Sequence, residues 1–133
     1  ISLSPAQKEF ALEFWRSYMQ NNGTLADEQF NELIRILERA HANRIKTILV
    51  DLPLPEWHRS NSPYFKHYQT KKLKYLRQAM NQFDLVYVNL QDLAEENDFY
   101  DSAHPKPSKT WVWSQSLARK LARGDRLLSL ENK

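Results

Sequence analysis

The sequence predicts a three-layer α/β/α fold with a parallel sheet at its centre and a helical hairpin ahead of it. Three observations carry that expectation. Two short runs, 45–52 (IKTILVDL) and 84–90 (DLVYVNL), have the length and β-branched content of strands. Between them a helical stretch opens at Ser62-Pro63 and runs to about Gln82, and a strand–helix–strand crossover makes its strands parallel. The remaining long segments carry apolar residues at helical spacing.

Taken in order, Ser4-Pro5-Ala6-Gln7 opens a first helix: a hydroxyl cap, proline at the first helical position, and glutamine three residues after the cap. Ala11, Phe14, Trp15 and Tyr18 form its expected buried stripe, and Gly23 closes it. A second helix starts at Thr24, with Asp27 completing a capping box, and carries the stripe Phe30, Leu33, Ile34 and Leu37 up to Asn43. The first strand is apolar enough in its second half to be buried on both faces, and Pro53 and Pro55 end it. The segment 54–62 reads as irregular, too proline-rich and polar for a regular element. Ser108 is the expected cap of a last helix whose Trp111, Ser114, Leu117, Ala118 and Leu121 face the sheet, closed by Gly124. The organisation is one domain over 1–133: a helical hairpin to residue 44, a βαβ unit with its following loop and closing helix over 45–123, and a tail.

Composition narrows the function. The 133 residues, 41% hydrophobic and 26% charged, suit a globular domain, and no run approaches the length of a membrane span. Without cysteine there are no disulfides, no thiolate chemistry and no cysteine-ligated zinc. A net charge of +3 favours anionic surfaces without demanding them. With glycine only at 23 and 124, the chain has neither a phosphate-cradling loop nor the strained turn that presents a catalytic serine. Ile1 in place of methionine, with no leader ahead of it, leads us to expect a piece of a longer protein.

The candidate site is the polar loop Asn97-Asp98-Phe99-Tyr100-Asp101-Ser102-Ala103-His104-Pro105. Three residues apart in a loop, Asp101 can reach one ring nitrogen of His104, fix its tautomer and leave the other nitrogen free to take a proton. Loops after parallel strands leave the sheet on one edge, where α/β folds bind ligands. That edge also receives Trp57 and His58, candidates for the wall of a substrate pocket, although a loop tryptophan folded back onto the sheet fits slightly better. His41, His58 and His67 lack metal-ligand spacing and read as surface or boundary residues. Lys66, Lys71, Lys72, Lys74 and Arg77, interleaved with Tyr64, Tyr68 and Tyr75, read as a solvated basic face above tyrosines packed on the sheet rather than as a nucleic-acid surface.

The order strand, Pro-rich loop, helix, strand, then Phe99-Tyr100-Asp101-Ser102-Ala103-His104-Pro105 and a closing amphipathic helix resembles the C-terminal part of SGNH (GDSL-type) hydrolases and acyltransferases. The Pro53-Leu54-Pro55-Glu56-Trp57-His58 loop and the tryptophans after the D-x-x-H motif are most similar to the branch with the D-alanyl transfer protein of teichoic acid biosynthesis and polysaccharide O-acyltransferases. The resemblance spans residues 30–122. It implies part of a flavodoxin-like parallel sheet, a serine-dependent esterase or acyltransferase with Asp101 orienting His104 as base, and no cofactor. It also implies an ester or acyl-carrier substrate on a carbohydrate or anionic polymer, an extracytoplasmic location, and membrane association through sequence upstream. The family's Gly-Asp-Ser block and the glycine and asparagine blocks of its oxyanion hole have no match here, and Lys106-Pro107-Ser108 replaces the glycine many members carry after the motif. None of the ten serines is flanked by glycine, so the expectation is the C-terminal portion of an enzyme, inactive alone, with a sheet edge open to self-association. The competing expectation is a non-catalytic module that binds a carbohydrate or anionic polymer.

Overall fold

The computed structural model describes residues 3–21 and 25–123, without the side chains of residues 19–21, 25, 26, 63 and 64. Two helices, Pro5–Asn21 (α1) and Leu25–Ala42 (α2), lead into a strand, Thr47–Asp51 (β1). A short helix, Glu56–Asn61 (α3), and a long one, Pro63–Gln82 (α4), precede the second strand, Leu85–Asn89 (β2). Two 3-10 turns, Gln91–Leu93 and Glu96–Asp98, then lead to the last helix, Pro107–Ala122 (α5). The strands pair in parallel, Thr47 opposite Leu85 and Asp51 opposite Asn89, as the crossover requires. The result is a mixed α/β structure, mostly helical, around a small two-stranded parallel sheet.

α1 begins with the reciprocal cap its sequence predicts: the Gln7 amide donates to Ser4 Oγ at 3.3 Å and the Ser4 amide donates to Gln7 Oε1 at 2.8 Å. Its buried line differs from expectation. Leu12 is 5% exposed whereas Phe14 is 57% exposed. α1 packs against α3 and α4, which turns Lys8, Leu12 and Trp15 inward at i, i+4, i+7 and leaves Phe14 outside that stripe. The closing Gly23, the Thr24 cap, Gly124 and the tail lie outside the described residues.

α2 packs on α4, and here the stripe holds. Ile34 and Leu37 are buried with Tyr75 and Ala79, flanked by Phe30, Leu33, Leu49, Phe83 and Leu85. Asp27 serves this packing: Lys71 Nζ donates to Oδ2 at 2.5 Å and Tyr75 Oη donates to Oδ1 at 3.2 Å. The Lys71 hydrogen bond, above all, holds the Asp27 carboxyl below the ordinary carboxylate range. Phe30 stacks on the Tyr75 ring at 4.9 Å. After Ala42, Asn43 Nδ2 donates to the Arg39 carbonyl and Arg44 turns the chain into β1 at φ 57°, the left-handed region.

Residues of alternate parity separate the faces of the sheet. Leu49 and Asp51 face α2 and α4, while Val50, Leu52 and Leu90 line a cavity of about 210 Å³ with Trp113 and Leu117 of α5. The expectation that the second half of β1 is buried on both faces fails at Leu52, 61% exposed, because α5 covers that face only in part. The basic-face reading of α4 fails at Lys72. Its side chain is buried and donates to Asp51 Oδ2 at 2.6 Å, because Tyr68, Lys72, Tyr75, Leu76 and Ala79 form the helix's inward stripe. Tyr87 Oη also donates to Oδ2 at 2.9 Å, and Tyr68 Oη and Gln91 Nε2 donate to Oδ1 at 3.2 and 3.1 Å.

α5 is capped at Lys106 with Pro107 as its first residue, so Ser108 lies within the first turn. That start places Thr110, Trp113, Ser114 and Leu117 on the inner face. Trp113 is buried, whereas Trp111 and Ala118, expected to face the sheet, point outward.

Leu12→Ala is expected to cost roughly 2–5 kcal/mol in urea unfolding while Phe14→Ser stays within about 0.5 kcal/mol. Lys72→Met, which strips the buried Asp51 of its cation, is expected to cost about 3–5 kcal/mol in the same measurement.

Candidate functional site

Beyond β2 the chain is pinned before it is allowed to loop. Leu90 is buried, its amide continuing the ladder to the Asp51 carbonyl at 3.0 Å. Asp98 is buried, with Lys109 Nζ of α5 2.8 Å from its Oδ1. From there two strands of loop run antiparallel. The Lys106 amide donates to the Asp98 carbonyl at 2.7 Å, Phe99 bridges Pro105, and the Tyr100 amide donates to the His104 carbonyl at 3.1 Å. Phe99, 3% exposed and 5.6 Å from the Trp113 ring, anchors this pinch in the core. Residues 101–103 form its tip.

At that tip the Asp101 carboxylate is held from three directions. Oδ1 accepts the amides of Ala103 at 2.8 Å and His104 at 2.6 Å; Oδ2 lies 2.8 Å from His104 Nδ1. The spacing of three residues therefore does what it predicts. A carboxylate accepts, so Nδ1 carries the hydrogen and Nε2 is the nitrogen available to a reacting group. Burial acts most strongly on Asp101 and raises its pKa, but the two amides and the imidazole together outweigh it, leaving the carboxyl below the ordinary range. The His104 side chain is 68% exposed, with the Tyr100 ring stacked on it at 5.8 Å. Tyr100 was not singled out in the sequence; only its place in the motif hinted at a role.

Trp57 and His58 are on α3, not in an irregular loop. Buried Pro53 and Pro55 carry the chain off β1 and Pro55 caps the helix. Glu56 in the first turn accepts from Ser60 and Arg59, which lower its carboxyl pKa, and the turn ends before Pro63. Trp57 is half-buried with Lys8 Nζ 5.8 Å from its ring. His58, expected at the surface or its boundary, is 2% exposed and gives Nδ1 to the Ser102 carbonyl at 2.7 Å. Burial leaves its ring no surface to offer a ligand, but it brings α3 against the tip of the Asp101–His104 loop.

Two groups next to this site escaped sequence reasoning. Asp51 is the one acid in an otherwise apolar run, and its signal was a lysine inside the apolar stripe of α4. Ser102 contributes a backbone carbonyl, which no side-chain motif reveals. Comparison with protein-family models, with curated proteins and with solved structures returns no match for this chain.

The lowered Asp101 carboxyl sets a pH dependence. A group whose pKa is depressed on folding contributes its stability in full above the ordinary value of 3.8 and loses it as pH falls below that through the folded-state pKa. Hydrogen exchange at the Ala103 and His104 amides, corrected for intrinsic rates, is thus expected to be constant above that range and to accelerate below it. Asp101→Asn should flatten the dependence; protection equally strong on both sides of the transition would refute the carboxylate's role.

Proposed function

We propose that this chain supplies the base of an SGNH-type, serine-dependent esterase or O-acyltransferase acting on an ester of a cell-envelope or carbohydrate-type acceptor. The observation that carries the reading is the 2.8 Å contact of Asp101 Oδ2 with His104 Nδ1 on an imidazole whose other nitrogen belongs to an exposed ring. Nε2 takes the proton of a serine hydroxyl as its oxygen attacks the acyl carbonyl. The imidazolium, steadied by Asp101, then returns that proton to the departing alcohol. In the second half Nε2 deprotonates water or a sugar hydroxyl, which takes the acyl group and frees the serine.

Among the described residues no hydroxyl is hydrogen-bonded to the His104 ring, so the reading draws its serine and oxyanion donors from outside those residues. The exposed Ile45, Ile48 and Leu52 along β1 suit a sheet that continues against further strands or a second copy of the chain. Two of the basic residues of α4 are neutralised, Lys71 by Asp27 and Lys72 by Asp51, so attraction of an anionic polymer would rest on Lys66, Lys74 and Arg77. Among the described residues no helix is long and apolar enough to cross a membrane, so membrane association would also use other sequence. The second reading, a module that binds a carbohydrate or anionic polymer without turnover, draws on the same lack of a hydroxyl at His104.

A serine-directed fluorophosphonate applied to the full-length gene product separates the two. The enzyme reading expects labelling that His104→Ala abolishes and Asp101→Asn slows by roughly ten thousand-fold. A folded protein that takes no label would leave the binding module, and labelling indifferent to His104 would overturn its assignment as the base.

A further inference from the structure

His58 sits on α3 in an aromatic setting. Its ring lies between two tryptophans, 5.8 Å from Trp15 of α1 and 5.7 Å from the neighbouring Trp57, at tilts of 31° and 24°. Within that aromatic setting it makes one polar contact through Nδ1, to the Ser102 carbonyl at 2.7 Å, while Nε2 is buried with no partner among the described residues. A carbonyl oxygen only accepts, so Nδ1 carries the hydrogen. An imidazole buried with half its hydrogen-bonding capacity unused is a costly way to fill space that phenylalanine would fill as well.

The bond reaches a particular peptide unit. The carbonyl of Ser102 and the amide of Ala103 are two ends of one plane, and that amide donates to Asp101 Oδ1 at 2.8 Å. One end of the plane is held by His58, the other by the carboxylate that orients His104. In a trans peptide the two groups point in opposite directions, so rotation of the plane breaks both bonds together. Donation to the carbonyl oxygen also polarises the unit and strengthens its N–H as a donor to Asp101. The next amide, that of His104, reaches the same Oδ1 at 2.6 Å, so the orientation set at Ser102 carries to the residue that bears the ring.

We propose that His58 is a positioning residue for the Asp101–His104 pair, clamping the Ser102–Ala103 peptide from α3 so that the carboxylate is held in its orienting pose. The inference rests on the catalytic reading above for its purpose, though not for its geometry. It also gives α1 a task, since Trp15 backs the ring on one side. α3 is then the support of the loop rather than the wall of a pocket.

His58→Phe keeps an aromatic ring between the tryptophans and removes the donor, whereas His58→Asn places a side-chain N–H near the position of Nδ1. In the 133-residue chain, His58→Phe is expected to speed exchange of the Ala103 and His104 amides by about tenfold. It should also turn the single Nδ1–H tautomer of His104 into a mixture in long-range proton–nitrogen spectra, with the amides of Leu37 and Val88 unaffected. His58→Asn should restore both signals. The proposal is overturned if His58→Phe changes neither signal, if Asn and Phe behave alike, or if the core amides loosen with the loop, since His58 would then be packing alone. Fluorophosphonate labelling of the full-length gene product distinguishes the two layers of argument. A loop that depends on His58 in a protein that never takes label keeps the clamp and removes the catalytic purpose. Labelling that needs His104 but is unchanged by His58→Phe keeps the enzyme and removes the clamp.

Discussion

A carboxylate buried at the end of a strand must be matched by donors or it unfolds what surrounds it, and at Asp51 that requirement ties the structure together. Its two oxygens collect Lys72 and Tyr68 from α4, Tyr87 from β2 and Gln91 from the turn after β2, so one side chain of β1 joins the crossover helix, the neighbouring strand and the loop beyond it. Gln91 Nε2 also donates to the Leu52 carbonyl, holding the chain as it leaves β1. Burial, then the adjacent Asp51 charge, raises the Tyr87 phenol far above its ordinary pKa, so it remains a donor throughout the physiological range. The carboxyl-terminal edge of the sheet, from which both loops depart, is therefore set by the donors gathered on Asp51 and not by apolar packing alone.

From that edge the two loops meet. The first leaves β1 through two buried prolines and becomes α3; the second passes Leu90, Asp98 and Phe99, each buried, before it opens. They touch where His58 reaches the Ser102 carbonyl. The support is thus dry, while Asp101 and His104 themselves remain 39% and 68% exposed. In water a carboxylate–imidazole pair is worth little, and its attraction grows as solvent is excluded. Any molecule that covers the pair would strengthen that attraction, and the buried support limits the reorganisation needed then.

The elements whose sequence signals are local were legible. The Ser4–Gln7 cap, the Phe30–Leu37 stripe, the boundaries of α4 and the parallel crossover each depend on a few neighbouring residues or on chain handedness. The Asp101–His104 contact belongs with them, since three residues of loop closed by Pro105 leave the side chains little choice. The readings that failed needed knowledge of a neighbour. Phe14 and Leu12 sit on overlapping helical stripes, and only the approach of α3 and α4 chooses between them. Trp111 and Trp113 compete in the same way for the inner face of α5, a choice made by Pro107 as first residue and by Phe99 waiting in the core.

Alone, then, the amino-acid order determined the four longer helices and the two strands, the sense of their pairing and the acid–imidazole contact, because each follows from hydrogen bonds and sterics within a short span of chain, whereas α3 did not show in it. The fate of charged and ambiguous side chains was left to the tertiary structure. Lys72 reads like its solvated neighbours until Asp51 is brought opposite it, and His58 reads like a surface histidine until two tryptophans and a backbone carbonyl close around it. Burial of a polar group depends on whether partners from distant parts of the chain arrive to satisfy it, and that arrival is decided only when the elements pack.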